Sequence, residues 1–143
     1  MQINFLTRNK NDNSGSYRIW VKDLSQTIND LDHNSKVYTS LNDIPQDTEI
    51  LIICKSYYDI VSEARKKLLN CKIGVINIPA NYNNKDIDFV IVGSPEEYVS
   101  LSQYENVFIY PLIELKFQNI ESKIHNNDDE YFNILTSLSL NHF

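Results

Sequence analysis

Glycine is scarce in this chain of 143 residues, with only Gly15, Gly74 and Gly93 present. Three isolated glycines exclude the G-x-G-x-x-G turn through which a backbone approaches a dinucleotide pyrophosphate. Cysteine is equally sparse. Cys54 and Cys71 share no metal-ligand spacing, which excludes a zinc-clasped or disulfide-stapled framework. One ends an apolar run and the other stands at a helix-to-strand junction, so both are expected to be buried, reduced thiols. No apolar run approaches the roughly 18 residues of a membrane-crossing helix. Met1, Gln2, Ile3, Asn4 and Phe5 read directly into a strand, without the basic flank and apolar stretch of a secretion signal. The expectation is therefore a cytoplasmic protein with no membrane span. Positive charge is also in deficit. Thirteen Lys and Arg stand against nineteen Asp and Glu, a net charge of −6, which argues against a nucleic-acid partner.

Catalytic constellations are missing as well. The histidines are His33, His125 and His142, and none has a partner at metal or triad spacing. His33 ends the first expected helix, where a cation suits the dipole. The carboxylate groups at Glu96 and Glu97, and at Asp128, Asp129 and Glu130, stand where helix N-termini favour negative charge. Tyr57, Tyr58, Tyr98 and Tyr104 are scattered over helix ends and form no stacking platform for single-stranded nucleic acid.

What is present is an alternation of short apolar runs with helical periodicity. Hydrophobic residues make up 42% of the chain and charged residues 22%, the composition of a globular domain. Strands are expected at residues 3–6, 36–39, 49–54, 72–78, 88–92 and 107–110. The 49–54 run is nearly continuous in β-branched residues and Leu, as in a strand buried on both faces. Between the first two strands, Tyr17, Trp20, Val21, Leu24, Ile28 and Leu31 fall on one helical stripe. Ser56 with Asp59 three residues on fits a capping box opening a second helix, whose face carries Ile60, Ala64 and Leu68. Ser94, Pro95, Glu96 and Glu97 give the clearest helix start, with Pro at the first helical position. That third helix is expected to run to about Gln103. The links at 42–45 and 80–86 are weaker crossovers.

Parallel strands need long crossovers, so this pattern predicts an α/β fold: a Rossmann-like, three-layer parallel sheet of about six strands with crossover helices. The domain is expected over residues 1–118. Residues 119–143 form a tail, polar through Glu130 and apolar again at Tyr131, Phe132, Ile134 and Leu135. It reads either as the start of a missing second domain or as a C-terminal helix, with Tyr131, Leu135 and Leu138 on one face, packing back.

Ligands of open α/β sheets bind beyond the carboxyl ends of the strands, where strand order reverses. In the common dinucleotide-fold order that point lies after the first and fourth strands. The first loop, from Arg8 to a helix start at Gly15 and Ser16, offers free backbone N–H groups to an anion. Arg18, a cation in the first helical turn, becomes understandable if an anion sits before it. A solvated loop with Ser16 as cap and an exposed Arg18 is the plainer account. Lys55 and Ser56 close the third strand on the same edge, as a contact or as a cap beside a snorkelling lysine. Gly93 and Ser94 close the fifth, where capping alone explains Ser94. Pro79, Asn81 and Tyr82 follow the fourth with ordinary turn chemistry.

Several of these segments together resemble a known family. Gly15, Ser16, Tyr17, Arg18 and Ile19 entering a helix resemble the glycine-containing loop of two-domain GT-B glycosyltransferases. The run Ile87, Asp88, Phe89, Val90, Ile91, Val92, Gly93, Ser94 resembles that family as well. Asn106, Val107, Phe108, Ile109, Tyr110, Pro111, Leu112, Ile113 and Glu114 look like its closing strand, before the chain crosses to the second domain. The resemblance implies an N-terminal, acceptor-side half, inactive alone because the sugar-nucleotide domain is missing. It implies no cofactor held by this chain by itself, and a sugar nucleotide once a second Rossmann-like domain or chain is supplied. A glycan or other small acceptor would be the ligand, with Gly15, Ser16 and Arg18 as cleft-lining positions; no catalytic base is assigned. The alternative is a non-catalytic binding or interaction module on the same scaffold. A response-regulator-like domain lacks support, because Thr7, Arg8 and Asn9 stand where its acidic cluster belongs.

Overall fold

The computed structural model describes residues 1–110 of the chain. The expected domain end near 118 and both readings of the tail lie outside the described residues. Six strands form one sheet: β1 (Gln2–Leu6), β2 (Asn34–Tyr38), β3 (Ile50–Ile53), β4 (Lys72–Ile76), β5 (Phe89–Val92) and β6 (Val107–Ile109). Every pairing is parallel, and the order is β2-β1-β3-β4-β5-β6. This is the parallel, Rossmann-like α/β arrangement expected from the alternating pattern. The order differs from the dinucleotide-fold one. Chain direction across the sheet reverses between β1 and β3, so the relevant loops follow the first and third strands rather than the first and fourth.

Helix α1 comprises three consecutive stretches: an α turn (Gly15–Tyr17), a π-helical segment (Arg18–Asp23) and an α-helix (Leu24–Asp30). Across the wider π turn Tyr17, Leu24 and Ile28 still pack with Trp20 and Val21 against the sheet. Trp20 and Val21 are buried, Ser25 joins them, and Leu31 is left outside at 65% exposure. Leu31 follows the last helical residue, and Asp32 turns the chain at φ 61°. The cap is Ser14 rather than Ser16, which stands in the first turn, and Ser14 makes no side-chain capping bond.

The second capping expectation also fails. Lys55–Ile60 form a 3₁₀ segment, and helix α2 (Val61–Lys67) begins only after it. Asp59 turns its carboxylate to Arg8 instead of capping. Helix α3 (Pro95–Ser100) starts as expected: the Glu97 N–H donates to Ser94 Oγ at 3.3 Å, and the Gly93 N–H donates to Glu97 Oε2 at 2.7 Å. It stops three residues short of Gln103. The weak crossovers are a 3₁₀ turn at Leu41–Asp43 and an 80–86 loop without a helix.

Strand alternation divides the core in two. Leu6, Leu51, Ile53, Ile73, Val75, Val90 and Val92 point to one face, which is covered by Leu41, Ile44, Val61, Ala64, Leu68 and Leu101. Ile3, Phe5, Ile52 and Ile76 point to the other, where α1 packs Trp20 and Val21. Polar groups tie the sheet's amino edge. Asn4 donates to Thr48 Oγ1 at 2.9 Å and accepts from the Lys36 N–H at 3.1 Å. Arg65 of α2 donates to the carboxylate of Asp88 and to the carbonyl oxygens of Cys71 and Asp86.

Candidate functional site

The carboxyl ends of β1 and β3 meet at the reversal of strand order. Two loops leave there: residues 7–14, feeding α1, and residues 54–60, feeding α2. Arg8 joins them. Its Nε donates to the Ser56 carbonyl oxygen, and its Nη2 donates to both oxygens of Asp59 at 2.9 and 2.8 Å. The guanidinium also lies over the Tyr57 ring, 5.0 Å from its centroid. One guanidinium thus serves a backbone carbonyl, a carboxylate and an aromatic face at once, which its several donors and planar shape allow. Both charged groups are more than half exposed, so the clasp stays open to competition from solvent and from an incoming anion.

The remaining sequence-derived positions fall around this edge. Gly15 opens α1, and a Cβ built there would meet no atom within 4 Å. Neither packing nor backbone conformation requires glycine at that position, and its absent side chain leaves the approach to the first helical turn clear. Ser16 is exposed beside it. Arg18 donates from Nη1 to the Asp12 carbonyl oxygen at 3.1 Å, and Lys22 pairs with the Asp12 carboxylate at 3.0 Å. The loop is therefore folded back on α1, which gives the first-turn cation a local protein partner. Lys55 is exposed at the start of its 3₁₀ segment.

Gly93 lies further along the same edge, after β5. A Cβ on Gly93 would stand 3.3 Å from the Trp20 ring, and that ring tilts against Tyr110 at 5.5 Å between centroids. Trp20 thus links α1 to the exits of β5 and β6. The structure joins Arg8 to the 54–60 loop and Gly93 to α1 through Trp20, and Cys54 of that loop packs against the apolar cluster that holds Trp20.

Asn77 is a feature the sequence reading missed. It ends β4 in the left-handed region at φ 50°, and its Oδ1 is buried without a hydrogen-bond partner among the described residues. Asn is among the residues most tolerant of that conformation, but nothing in the run of residues 72–78 marks where the strand turns. Pro79, Asn81 and Tyr82 form the turn expected of them: the Tyr82 N–H donates to the Pro79 carbonyl at 2.9 Å, and Tyr82 packs edge-on against Tyr58.

The thiols are poor nucleophiles here. Burial pushes Cys54 upward, and its hydrogen bonds to Thr7 and to the Lys55 backbone offset this only in part. Burial pushes Cys71, at the opposite end of the sheet, to about 11. Among the described residues no three His, Cys, Asp or Glu side chains stand together as a metal would require. No described helix is long and apolar enough to cross a membrane.

Fold and edge together define a parallel, Rossmann-like α/β protein with a candidate binding edge at the β1/β3 reversal. Comparison of the chain with protein-family models, with curated proteins and with solved structures finds no match.

Proposed function

We propose that this chain is the acceptor-side half of a glycosyltransferase arrangement of the GT-B kind. In this reading it binds a glycan or other small acceptor and offers it to a sugar nucleotide held by a second Rossmann-like domain or chain. One observation carries the proposal. Of the three stretches that resemble that family, 15–19, 87–94 and 106–114, the first lies far from the other two in sequence. Trp20, immediately after the first of them, meets Gly93 of the second and Tyr110 of the third. The open space at Gly15 supports the same reading, since hydroxyls or an anion of the acceptor could approach the first N–H groups of α1 there. Arg8, Ser16, Arg18 and Lys55 would line the approach. The chain supplies binding and orientation; the leaving group and its activation belong to the second half. The compartment proposed is the cytoplasm.

Gly15→Val is the test, because its Cβ enters space in which no protein atom lies within 4 Å. Saturation-transfer NMR of the full chain against a panel of mono- and oligosaccharides is expected to detect an acceptor, and Gly15→Val to abolish the signal with thermal stability unchanged. The chain alone should neither hydrolyse nor transfer from sugar nucleotides. Turnover by the isolated chain would refute the proposal, as would saccharide binding indifferent to Gly15→Val.

A second reading, a non-catalytic interaction module, is favoured by the Arg8 clasp, which already occupies the cation nearest the strand reversal. It predicts no acceptor in the saccharide panel and a protein partner that protects residues 8–18 from hydrogen exchange.

A further inference from the structure

The loops at the β1/β3 reversal carry a charge opposite to that of the whole protein. Residues 7–23 and 54–60 hold Arg8, Lys10, Arg18, Lys22 and Lys55 against Asp12, Asp23 and Asp59. Five cations face three carboxylates there, in a chain whose net charge is −6. A basic pair of loops on an acidic protein draws small anions to one edge. Within it the Asp59 carboxylate already lies on Arg8, both of its oxygens accepting from Nη2 at 2.9 and 2.8 Å. An arginine takes a phosphate with the same donors that it gives a carboxylate.

Asp59 is a weak occupant of that position. Both side chains of the pair are more than half exposed, and pairs of this kind hold loosely. Asp59 also has a second use close by. It stands three residues after Ser56, the spacing at which an acid caps the Ser N–H of a helix start. Instead, residues Lys55–Ile60 form a 3₁₀ segment, with Tyr57 outside helical geometry at φ −136° and ψ 16°. The carboxylate that would cap this segment is held by Arg8.

We propose that Arg8 anchors a phosphate site at the strand reversal, and that the Asp59 carboxylate occupies it until a phosphate dianion displaces it. Lys10 and Lys55, exposed on the two loops that Arg8 joins, add positive charge to the approach. Displaced from Arg8, Asp59 returns to the Ser56 N–H, which offsets part of the loss of the ion pair. The ligand is inorganic phosphate or the phosphate group of a small ester. This inference shares its edge with the acceptor reading but does not rest on it, because a phosphate site needs no saccharide.

Isotope-labelled full-length protein, titrated with inorganic phosphate and separately with glycerol phosphate, tests it by NMR, with chloride holding the ionic strength constant. The Arg8 Nε–H resonance and the amides of residues 54–60 are expected to shift saturably. The Nε–H resonance of Arg65, which is engaged with Asp88 at the opposite end of the sheet, should stay in place. Asp59→Asn should tighten binding about fivefold, the worth of one exposed ion pair. Arg8→Ala should abolish the shifts of residues 54–60 on titration while the far-ultraviolet dichroism persists. Tighter binding of the ester marks an esterified ligand, and equal or weaker binding marks free phosphate; either supports the site. Weaker or unaltered binding in Asp59→Asn would overturn the proposal. So would phosphate binding that survives Arg8→Ala, or no saturable shift with either probe. The saccharide panel reads the acceptor separately, so either reading can fail while the other stands.

Discussion

Gly74 provides the sharpest test of how the sheet is packed. It lies on β4 directly opposite Phe89 of β5, on the face that α1 partly covers. The Phe89 ring lies across it: a Cβ at position 74 would stand 2.2 Å from two ring carbons. Carbon atoms pack at about 3.5–4.0 Å, so the ring would have to retreat by about 1.5 Å. Phe108 stands edge-on to it at 6.0 Å and limits that retreat. Overpacking of this kind costs about 1–3 kcal/mol, while replacing a strand glycine by Ala returns about 0.5–1 kcal/mol. At mid-range, about 2 less about 0.75, Gly74→Ala should therefore destabilise by about 1 kcal/mol. Urea unfolding followed by Trp20 fluorescence would register a lower midpoint at unchanged slope. In a Phe89→Ala background the sign should reverse, because the obstruction is gone and only the backbone gain remains. A neutral or stabilising Gly74→Ala in the otherwise unaltered chain, or an equal cost in both backgrounds, would refute the reasoning.

Other outcomes follow from the same packing. Burial pushes the Asp88 carboxyl up, but hydrogen bonds from the Ile73 N–H, Arg65 and Lys72 outweigh it and hold it below its ordinary value. Its contribution is thus present at neutral pH and lost as acid titration passes below the ordinary carboxylate range. Arg65→Met should cost about 1.5–3 kcal/mol at pH 7 and flatten that acid limb in a stability–pH profile. The Cys71 thiol, raised from 9.0 to about 11, releases its proton first in the unfolded chain, so stability should fall as pH climbs through this interval. Labelling of Cys71 by a disulfide reagent at pH 8 should track global unfolding. Ser94→Ala removes the cap of α3 and should cost about 1 kcal/mol in denaturant titration. Arg8→Ala, which breaks an exposed pair, should change stability by less than about 1 kcal/mol while speeding amide exchange in residues 55–59.

The fold class was legible because parallel strands must be separated by crossovers, and the apolar runs around Phe5, Leu51, Val75 and Val90 are spaced accordingly. Strand order was not legible. Nothing in the pattern of residues 2–6 or 50–53 states that these two strands pair, since alternation sets which face a residue takes and not which strand lies beside it. The start of α3 could be read because Ser94, Pro95 and Glu97 act within one turn. Local chemistry misled where a tertiary partner competed: Asp59 is drawn to Arg8 from 51 residues away, and no capping rule anticipates that. Five of the six stripe residues of α1 face the sheet despite the π segment, and Leu31 lies outside because the helix ends at Asp30. At the site, Arg8, Gly15 and Gly93 were identifiable as strand-exit residues, but the Trp20 bridge depends on side-chain reach across strands, to which periodicity is blind.

The central claim is that the strand order reverses between β1 and β3. Long-range couplings across backbone hydrogen bonds in the full-length protein measure this directly. They should join the Thr7 N–H to the Tyr38 carbonyl and the Cys54 N–H to the Leu6 carbonyl, with β2 on one side of β1 and β3 on the other. Couplings joining β1 to residues 72–76 instead would move the reversal elsewhere, and the proposed binding edge with it.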